Sequence, residues 1–323
     1  MKIAVYSICK NEEAFVERFL LSCIGADLVV VADTGSTDNT VKEFTRVCPP
    51  DHSPPVALHH VSINPWRFDT ARNVALALVP ADIDVCIRLD IDEVLDPGWR
   101  TALEENWIEG TTQLWYWFNH APGYRFRTNN IHARHGYRWR GLDHECLEDA
   151  TGRGRSRIAD DRLSITHHQD HTKDRTGILP RLVAQVKEDK RARTLYYLGR
   201  EYYYYRFDTD AIATLKEYLS QPDATWPQER MDVMSMIAES YERLGNVEQA
   251  FHWHYRAIAE FPTREPMLGL SHFALKTGKH ALAYGVAKQA LTITDRMDSM
   301  FNKPAAWDGS LESIAQQAEP YVK

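Results

Sequence analysis

Asp90 and Asp92 stand one residue apart, directly after the apolar run Val85 to Leu89. Two carboxylates at this spacing on the rigid end of a strand can reach one hard cation, and such a cation would bridge the two phosphates of a nucleotide. Asp-x-Asp alone also describes many solvated strand ends, so its surroundings carry the weight. A second acid, Asp33, ends the apolar run Leu28 to Ala32 and is followed by Thr34-Gly35-Ser36-Thr37-Asp38. Gly35 can take a tight turn, and Ser36 or Thr37 can cap the next helix. The Asp33 carboxylate there can accept a hydrogen bond from a base N–H, or serve only as a turn acid. Further on, Leu163-Ser164-Ile165-Thr166 leads into His167-His168-Gln169-Asp170-His171. That density of imidazoles fits either a metal-directed cluster or a solvated polar loop, and no adjacent cysteine supports a zinc site.

The elements that must position these residues follow from periodicity. Ile3 to Ile8, Leu28 to Ala32, Val56 to Val61 and Val85 to Leu89 read as strands, while Glu12 to Ile24, a segment from about Thr37, and Thr70 to Leu78 read as helices. This alternation predicts an α/β domain with a mainly parallel sheet and helices on both faces, whose ligands bind beyond the strand carboxyl ends. Cys9-Lys10-Asn11, Asp33 to Ser36 and Asp90 to Glu93 all fall at such ends and are expected to share one cleft. The later sequence is different in kind. Gly245, Ala250 and Ala257 recur 33 residues on as Gly278, Ala283 and Ala290, a period that indicates paired antiparallel helices. Tyr241, Gly245, Ala250, Ala257 and Pro262 follow the tetratricopeptide pattern, and Leu198-Gly199, Tyr202, Ala211 and Tyr218 form a looser earlier unit. The expected organisation is an α/β domain over 1–175 and an all-α repeat domain over 176–323, with a plain helical bundle as the alternative for the second.

The chain has 323 residues, 44% apolar and 26% charged, with a formal charge of −7. This excludes a collagen, a wholly disordered chain, a coiled-coil rod and a uniformly basic nucleic-acid module. Cys9, Cys23, Cys48, Cys86 and Cys146 form an odd set without a C-x-x-C pair, which argues against a disulfide framework and for a reducing, cytoplasmic setting. Charges at Lys10 to Glu13 and at Asp27 interrupt the apolar N-terminal stretches, so neither a signal peptide nor a membrane span is expected there. Positive charge is concentrated between Gly123 and Arg193, with 13 Arg and 3 Lys against 10 acidic residues. Tyr124, Phe126, Tyr137 and Trp139 alternate there with Arg125, Arg127, Arg138 and Arg140, a mixture suited to stacking on sugars or bases and to phosphate contact; a solvated surface is the plainer alternative.

Four stretches taken in order resemble the successive signatures of family 2 glycosyltransferases with the GT-A fold. They are Ser7 to Glu13, Val29 to Thr40, Trp66 to Asn73 and Leu89 to Glu93. The likeness is close over roughly the first 100 residues and looser beyond, and a C-terminal tetratricopeptide array is a known accompaniment in that family. The resemblance implies inverting transfer of a sugar from a nucleotide sugar, commonly a UDP-sugar, with Mn²⁺ or Mg²⁺ at the Asp-x-Asp. It implies that Asp33 binds the uracil, that Asp92 is the principal metal ligand, and that Asp90 is its partner toward ribose or metal, with Ile91 between them in the motif. Ser7 and Asn11 would frame the nucleotide, Arg72 would contact base or phosphate, and Asn73 would help to close the pocket. Ala32 departs from a position that is often acidic in the family.

Such a reaction needs a general base for the attacking hydroxyl. The resemblance points to Asp143-His144-Glu145, with Glu145 as the base and His144 orienting or replacing it. Late histidines return to the metal in many GT-A enzymes, which singles out His167, with His168 or His171 as alternatives. Expected partners are the nucleotide sugar and an acceptor glycan or peptide. Hydroxymethylated bases in DNA are a second acceptor class, which would require base flipping, and the helical repeats would bind acceptor or mediate a homodimer. A non-catalytic repeat scaffold is the rival from another class, disfavoured by the presence of both Asp90 and Asp92. A nucleotidyltransferase would also use paired acids, but no glycine-rich, lysine-ending phosphate loop is present.

Overall fold

The structure is a computed structural model and describes residues 1–47, 54–170 and 176–322. Cys48 and His171 lie outside the described residues. The chain divides into two compact units, Met1–Asp174 and Arg175–Lys323.

Unit 1 is built on a mixed nine-stranded sheet. Its first half consists of β1 (Ile3–Cys9), β2 (Leu28–Asp33), β3 (Val56–His60) and β4 (Val85–Arg88), joined through α1 (Val16–Ser22), α2 (Thr40–Val47) and α3 (Phe68–Leu78). Neighbours in the order β3-β2-β1-β4 run parallel. Here the expectation of parallel strands holds. It fails beyond β4, where the chain forms β5 (Glu93–Leu95), α4 (Trp99–Asn106), the long β6 (Gln113–Ala121) and β7 (Tyr124–Ala133), a small β8/β9 ribbon (Tyr137–Arg140, Cys146–Asp149), β10 (Ser156–Ile158) and β11 (Ser164–His167). The pairs β4/β7, β6/β7 and β11/β5 are antiparallel. The reason is local: a β-hairpin turning at Ala121 to Tyr124 can return beside its own strand without a crossover helix.

Side chains alternate between two cores, as strand geometry requires. Ile3, Val5, Val29, Val31, Val85 and Ile87 face Val16, Phe19, Leu20, Phe44, Trp99 and Leu103 on one side of the sheet. Ala4, Tyr6, Val30, Ala32 and Cys86 face Ala75, Leu76 and Trp139 on the other. Both faces are buried, which is why these strands read as unbroken apolar runs. In register, Cys9 lies opposite Asp33 and Tyr6 opposite Arg88, so the ends of β1, β2 and β4 meet at one edge.

Among the described residues, the regular elements of unit 2 are all helices. It comprises α5 (Ile178–Glu188), α6 (Ala192–Tyr204), α7 (Asp208–Leu219), α8 (Pro227–Arg243), α9 (Val247–Glu260), α10 (Arg264–Lys276), α11 (His280–Ala290) and α12 (Ser310–Ala318). Three hairpins, α6/α7, α8/α9 and α10/α11, turn through a left-handed residue: Arg206 at φ 62°, Gly245 at 73° and Gly278 at 73°. Glycine suits that conformation and arginine does not, so the first hairpin is recognisable by geometry more readily than by sequence. Ala211, Ala250 and Ala283 stand at the same offset from these turns and are fully buried, as are Tyr218, Ala257 and Ala290 further along. No helix of the described residues is long and apolar enough to cross a membrane.

Candidate active site

Asp33 closes β2 in a shell of donors. Its carboxylate accepts from the Ser36 amide at 3.1 Å, the Ser36 hydroxyl at 2.5 Å and the Cys9 thiol at 3.6 Å, with His60 Nδ1 at 3.1 Å. Burial opposes its ionisation, but the bonds from Ser36 and His60 outweigh burial and hold the carboxyl below the usual range. The same shell pushes the Cys9 thiol up, burial first and the Asp33 charge second. Asn11 takes φ 57° and grips the facing loop: its Oδ1 accepts from the Thr37 amide at 2.7 Å, and its own amide donates to Ser36 Oγ at 3.0 Å. Asn11 thus fixes the shape of the Asp33 loop. Ser7 is fully buried and offers no surface to a ligand.

In the turn between β4 and β5, Asp92 meets His167. The imidazole Nε2 lies 3.5 Å from Asp92 Oδ2, and the Asp92 carbonyl accepts from the His168 amide at 2.7 Å. β11 pairs with β5 directly beyond the Asp-x-Asp, and this pairing is what brings a residue from late in the sequence to the site. Burial lowers the His167 pKa, yet hydrogen bonding and charge from Asp92 leave it raised overall. His167 Nδ1 is buried without a hydrogen-bond partner among the described residues. Among the described residues, no three His, Cys, Asp or Glu side chains form a closed metal cage. The Asp92 carboxylate, with His167 beside it, nevertheless fits an ion of the magnesium type, which is held by one or two carboxylates and completes its shell with phosphate oxygens and water.

Asp90 is occupied differently. Arg72 Nη1 and Nη2 donate to its two carboxylate oxygens at 2.8 and 3.2 Å, and Arg88 Nη1 donates to Oδ2 at 3.1 Å. Arg88 also reaches Glu93 at 2.9 Å, and Arg72 Nε donates to Glu145. Two buried guanidinium groups therefore serve three acids. Burial pushes the Glu93 carboxyl up against the pull of Arg88. Asp90 thus orders the two arginines and stays partly exposed, while Asp92 is buried beside His167. Ile91 is a core residue, so only its backbone lies at the edge.

The loop bearing His144 and Glu145 is bolted to α3. Asn73 Nδ2 donates to the Trp139 carbonyl at 2.8 Å, and its Oδ1 accepts from the Trp139 amide at 2.9 Å. Asp69 accepts from the Gly141 amide at 3.0 Å. The part Asn73 plays here is to hold this loop. His144 itself takes φ 49°, an uncommon conformation for a non-glycine residue that marks a position fixed by its surroundings.

Sequence reasoning missed the chain beneath this loop. His132 Nδ1 donates to the Ala133 carbonyl at 2.8 Å, which leaves Nε2 to accept from the Tyr6 hydroxyl at 2.9 Å; that oxygen in turn accepts from Trp139 Nε1 at 2.8 Å. Arg72 and Arg88 lie over the Trp139 ring at 5.5 and 5.7 Å. An isolated His and Tyr in apolar strands carry no signal for this. The aromatic and basic run after Gly123 also divides: Arg125 and Arg127 stack on Trp117 at 4.1 and 4.3 Å, whereas Trp139 is core and Tyr137 bonds Thr112.

Residues 5–155 match the family model for glycosyl transferase family 2, a little under half of the chain. The match falls within unit 1, whose mixed sheet is of the GT-A kind, and a helical unit follows it. Among solved structures, TarS 1–349 from S. aureus is similar at 12% identity over 92% of this chain and 93% of its own, with a TM-score of 0.41. Glucosyl-3-phosphoglycerate synthase from Mycobacterium tuberculosis, in complex with Mn²⁺, UDP and phosphoglyceric acid, is similar at 21% identity over 36% of this chain and 43% of its own, with a TM-score of 0.30. MamA is similar at 19% identity over 45% and 82%, with a TM-score of 0.33. The chain spans less than half the length of the mycobacterial synthase it matches. No curated protein matches.

Proposed function

We propose that the protein is a metal-dependent, inverting glycosyltransferase that moves a sugar from a UDP-sugar, such as UDP-glucose, to a hydroxyl of a glycan or peptide. The observation that carries the reading is the meeting of Asp92 and His167 in the turn after β4, together with the polar shell of Asp33 at the end of β2. A nucleoside would lie with its base at Asp33 and its diphosphate at Asp92. An Mn²⁺ or Mg²⁺ ion held by Asp92 and His167 would stabilise the negative charge on a departing diphosphate. Asp33 accepts from the base N–H, Asn11 keeps the loop closed, and Arg72 and Arg88 fix Asp90 and the 139–145 loop. Glu145 takes the proton of the attacking hydroxyl, and its pairing with Arg72 holds it in place.

One observation favours His144 as the base instead: Glu145 is already engaged by Arg72, whereas His144 sits on a loop turn in a constrained backbone conformation. The helical hairpins of unit 2 read as tetratricopeptide-like repeats that bind acceptor or a second copy of the chain, and the protein as cytoplasmic. Hydroxymethylated DNA is the alternative acceptor.

Incubation with a panel of UDP-sugars and Mn²⁺ tests the reading through release of UDP. Donor hydrolysis that disappears in Asp92→Asn is expected, and absence of any nucleotide binding would leave the scaffold reading standing. Glu145→Gln should abolish transfer with UDP affinity nearly unchanged; if His144→Ala abolishes it and Glu145→Gln does not, the base is His144. Mass increments on candidate glycans, peptides and hydroxymethylated DNA identify the acceptor.

A further inference from the structure

A cavity of about 500 Å³ opens within unit 2 between α8, α10 and α12, its walls including Glu239, Glu265, Leu268, Lys303, Ser313 and Ile314. Lys303 Nζ lies 3.7 Å from Asp232 and 3.8 Å from Glu239, and Arg200 and Arg243 add positive charge near these two acids. Tyr203 donates a further hydrogen bond to Glu239, and Tyr196 one to Asp232 at 3.2 Å. The other acid on the cavity wall is Glu265. It sits in the first turn of α10, is only 2% exposed, and accepts from Trp307 Nε1 at 3.0 Å through Oε1. Its Oε2 is buried with no hydrogen-bond partner among the described residues. An unpaired carboxylate oxygen in a buried position is costly, and a bound cationic donor removes that cost.

We propose that this cavity binds a primary alkylammonium group, with Glu265 as its counter-ion and Leu268 and Ile314 flanking the aliphatic stem. The buried Glu265 oxygen, unpartnered among the described residues, selects a cationic donor. Among the described residues no third ligating His, Cys, Asp or Glu converges with these acids, so an organic cation fits better than a metal ion. The ammonium can be carried by a free diamine or by a lysine side chain of a partner peptide. The site lies wholly in unit 2 and is independent of the sugar-transfer reading.

Calorimetric titration of the full chain with diaminopentane and with Nα-acetyl-lysine methylamide tests this, with pentanol and Nα-acetyl-norleucine methylamide as uncharged controls. Saturable binding of at least one ammonium probe and of neither control is expected, and Glu265→Gln, which keeps an acceptor for Trp307, should weaken it about tenfold or more. Tighter binding of the diamine assigns the site to free amines, and tighter binding of the lysine derivative to a peptide. Ser313→Phe adds a ring to the cavity wall while leaving Glu265 in place and should also weaken binding, which keeps the test valid if Glu265→Gln fails to fold. No saturable ammonium binding, equal binding of the neutral controls, or unchanged affinity in both variants would overturn the proposal.

Discussion

Replacing Arg72 by Met should destabilise unit 1 by about 3 kcal/mol, because it strips a buried cation from between two acids. The arginine side chain is 6% exposed and Glu145 9%, while Asp90 is 30% exposed. Three hydrogen bonds to carboxylates vanish together, and Glu145 is left buried with the Arg88 charge still acting on it. Removing one partner of a buried ion pair costs about 3–5 kcal/mol, and the lower end applies because Asp90 is partly solvated and keeps Arg88. Arg72→Lys retains the charge but cannot span both acids with one ammonium, so about 1–2 kcal/mol of the loss should persist. Adding Glu145→Gln to Arg72→Met removes one stranded charge and should recover about 1 kcal/mol or more, a coupling that a double-mutant cycle measures. Urea unfolding at pH 7 with an unchanged m-value is the assay. An Arg72→Met protein within about 1 kcal/mol of the wild type would refute the idea that this network organises the site.

Asn73→Ala should cost about 1–3 kcal/mol in the same assay, since it leaves both the amide and the carbonyl of buried Trp139 without their partner; a neutral substitution would mean the 139–145 loop is held elsewhere. His132 gives a pH dependence. Burial lowers its folded pKa to about 4 from 6.5, so between those values the unfolded chain binds more protons and stability falls as the pH drops from 6.5 to 4. The full effect is about 3 kcal/mol. The stability difference between wild type and His132→Phe should therefore shrink by about that amount on going from pH 7 to below pH 4, and a constant difference would contradict the hydrogen-bond chain.

Much of the fold is legible in the sequence because both faces of β1, β2 and β4 are buried, which writes them as apolar runs ended by Cys9, Asp33 and Asp90. The mixed half of the sheet is not legible, since the β6/β7 hairpin carries aromatic and charged residues on both faces and resembles a surface. In the site, the strand-end acids could be located but their division of labour could not. Arg88 sits inside the fourth apolar strand and gives no hint that it will turn to Asp90 and Glu93. Asn73 was expected beside a nucleotide, yet its side chain matches a backbone amide and carbonyl 66 residues away, a pairing that spacing cannot reveal. In unit 2 the glycine turns at 245 and 278 announced their hairpins, while the left-handed turn at Arg206 was hidden by its residue type.

The central claim is that Asp92 and His167 hold a divalent ion that in turn holds the diphosphate. Titration of Mn²⁺ followed by electron paramagnetic resonance, with and without UDP, measures this directly. Tight, UDP-dependent binding by the wild type and a loss of about tenfold or more in Asp92→Asn and His167→Ala, with Asp90→Asn affecting stability more than Mn²⁺ affinity, are expected. Wild-type Mn²⁺ and UDP binding in Asp92→Asn would contradict the account.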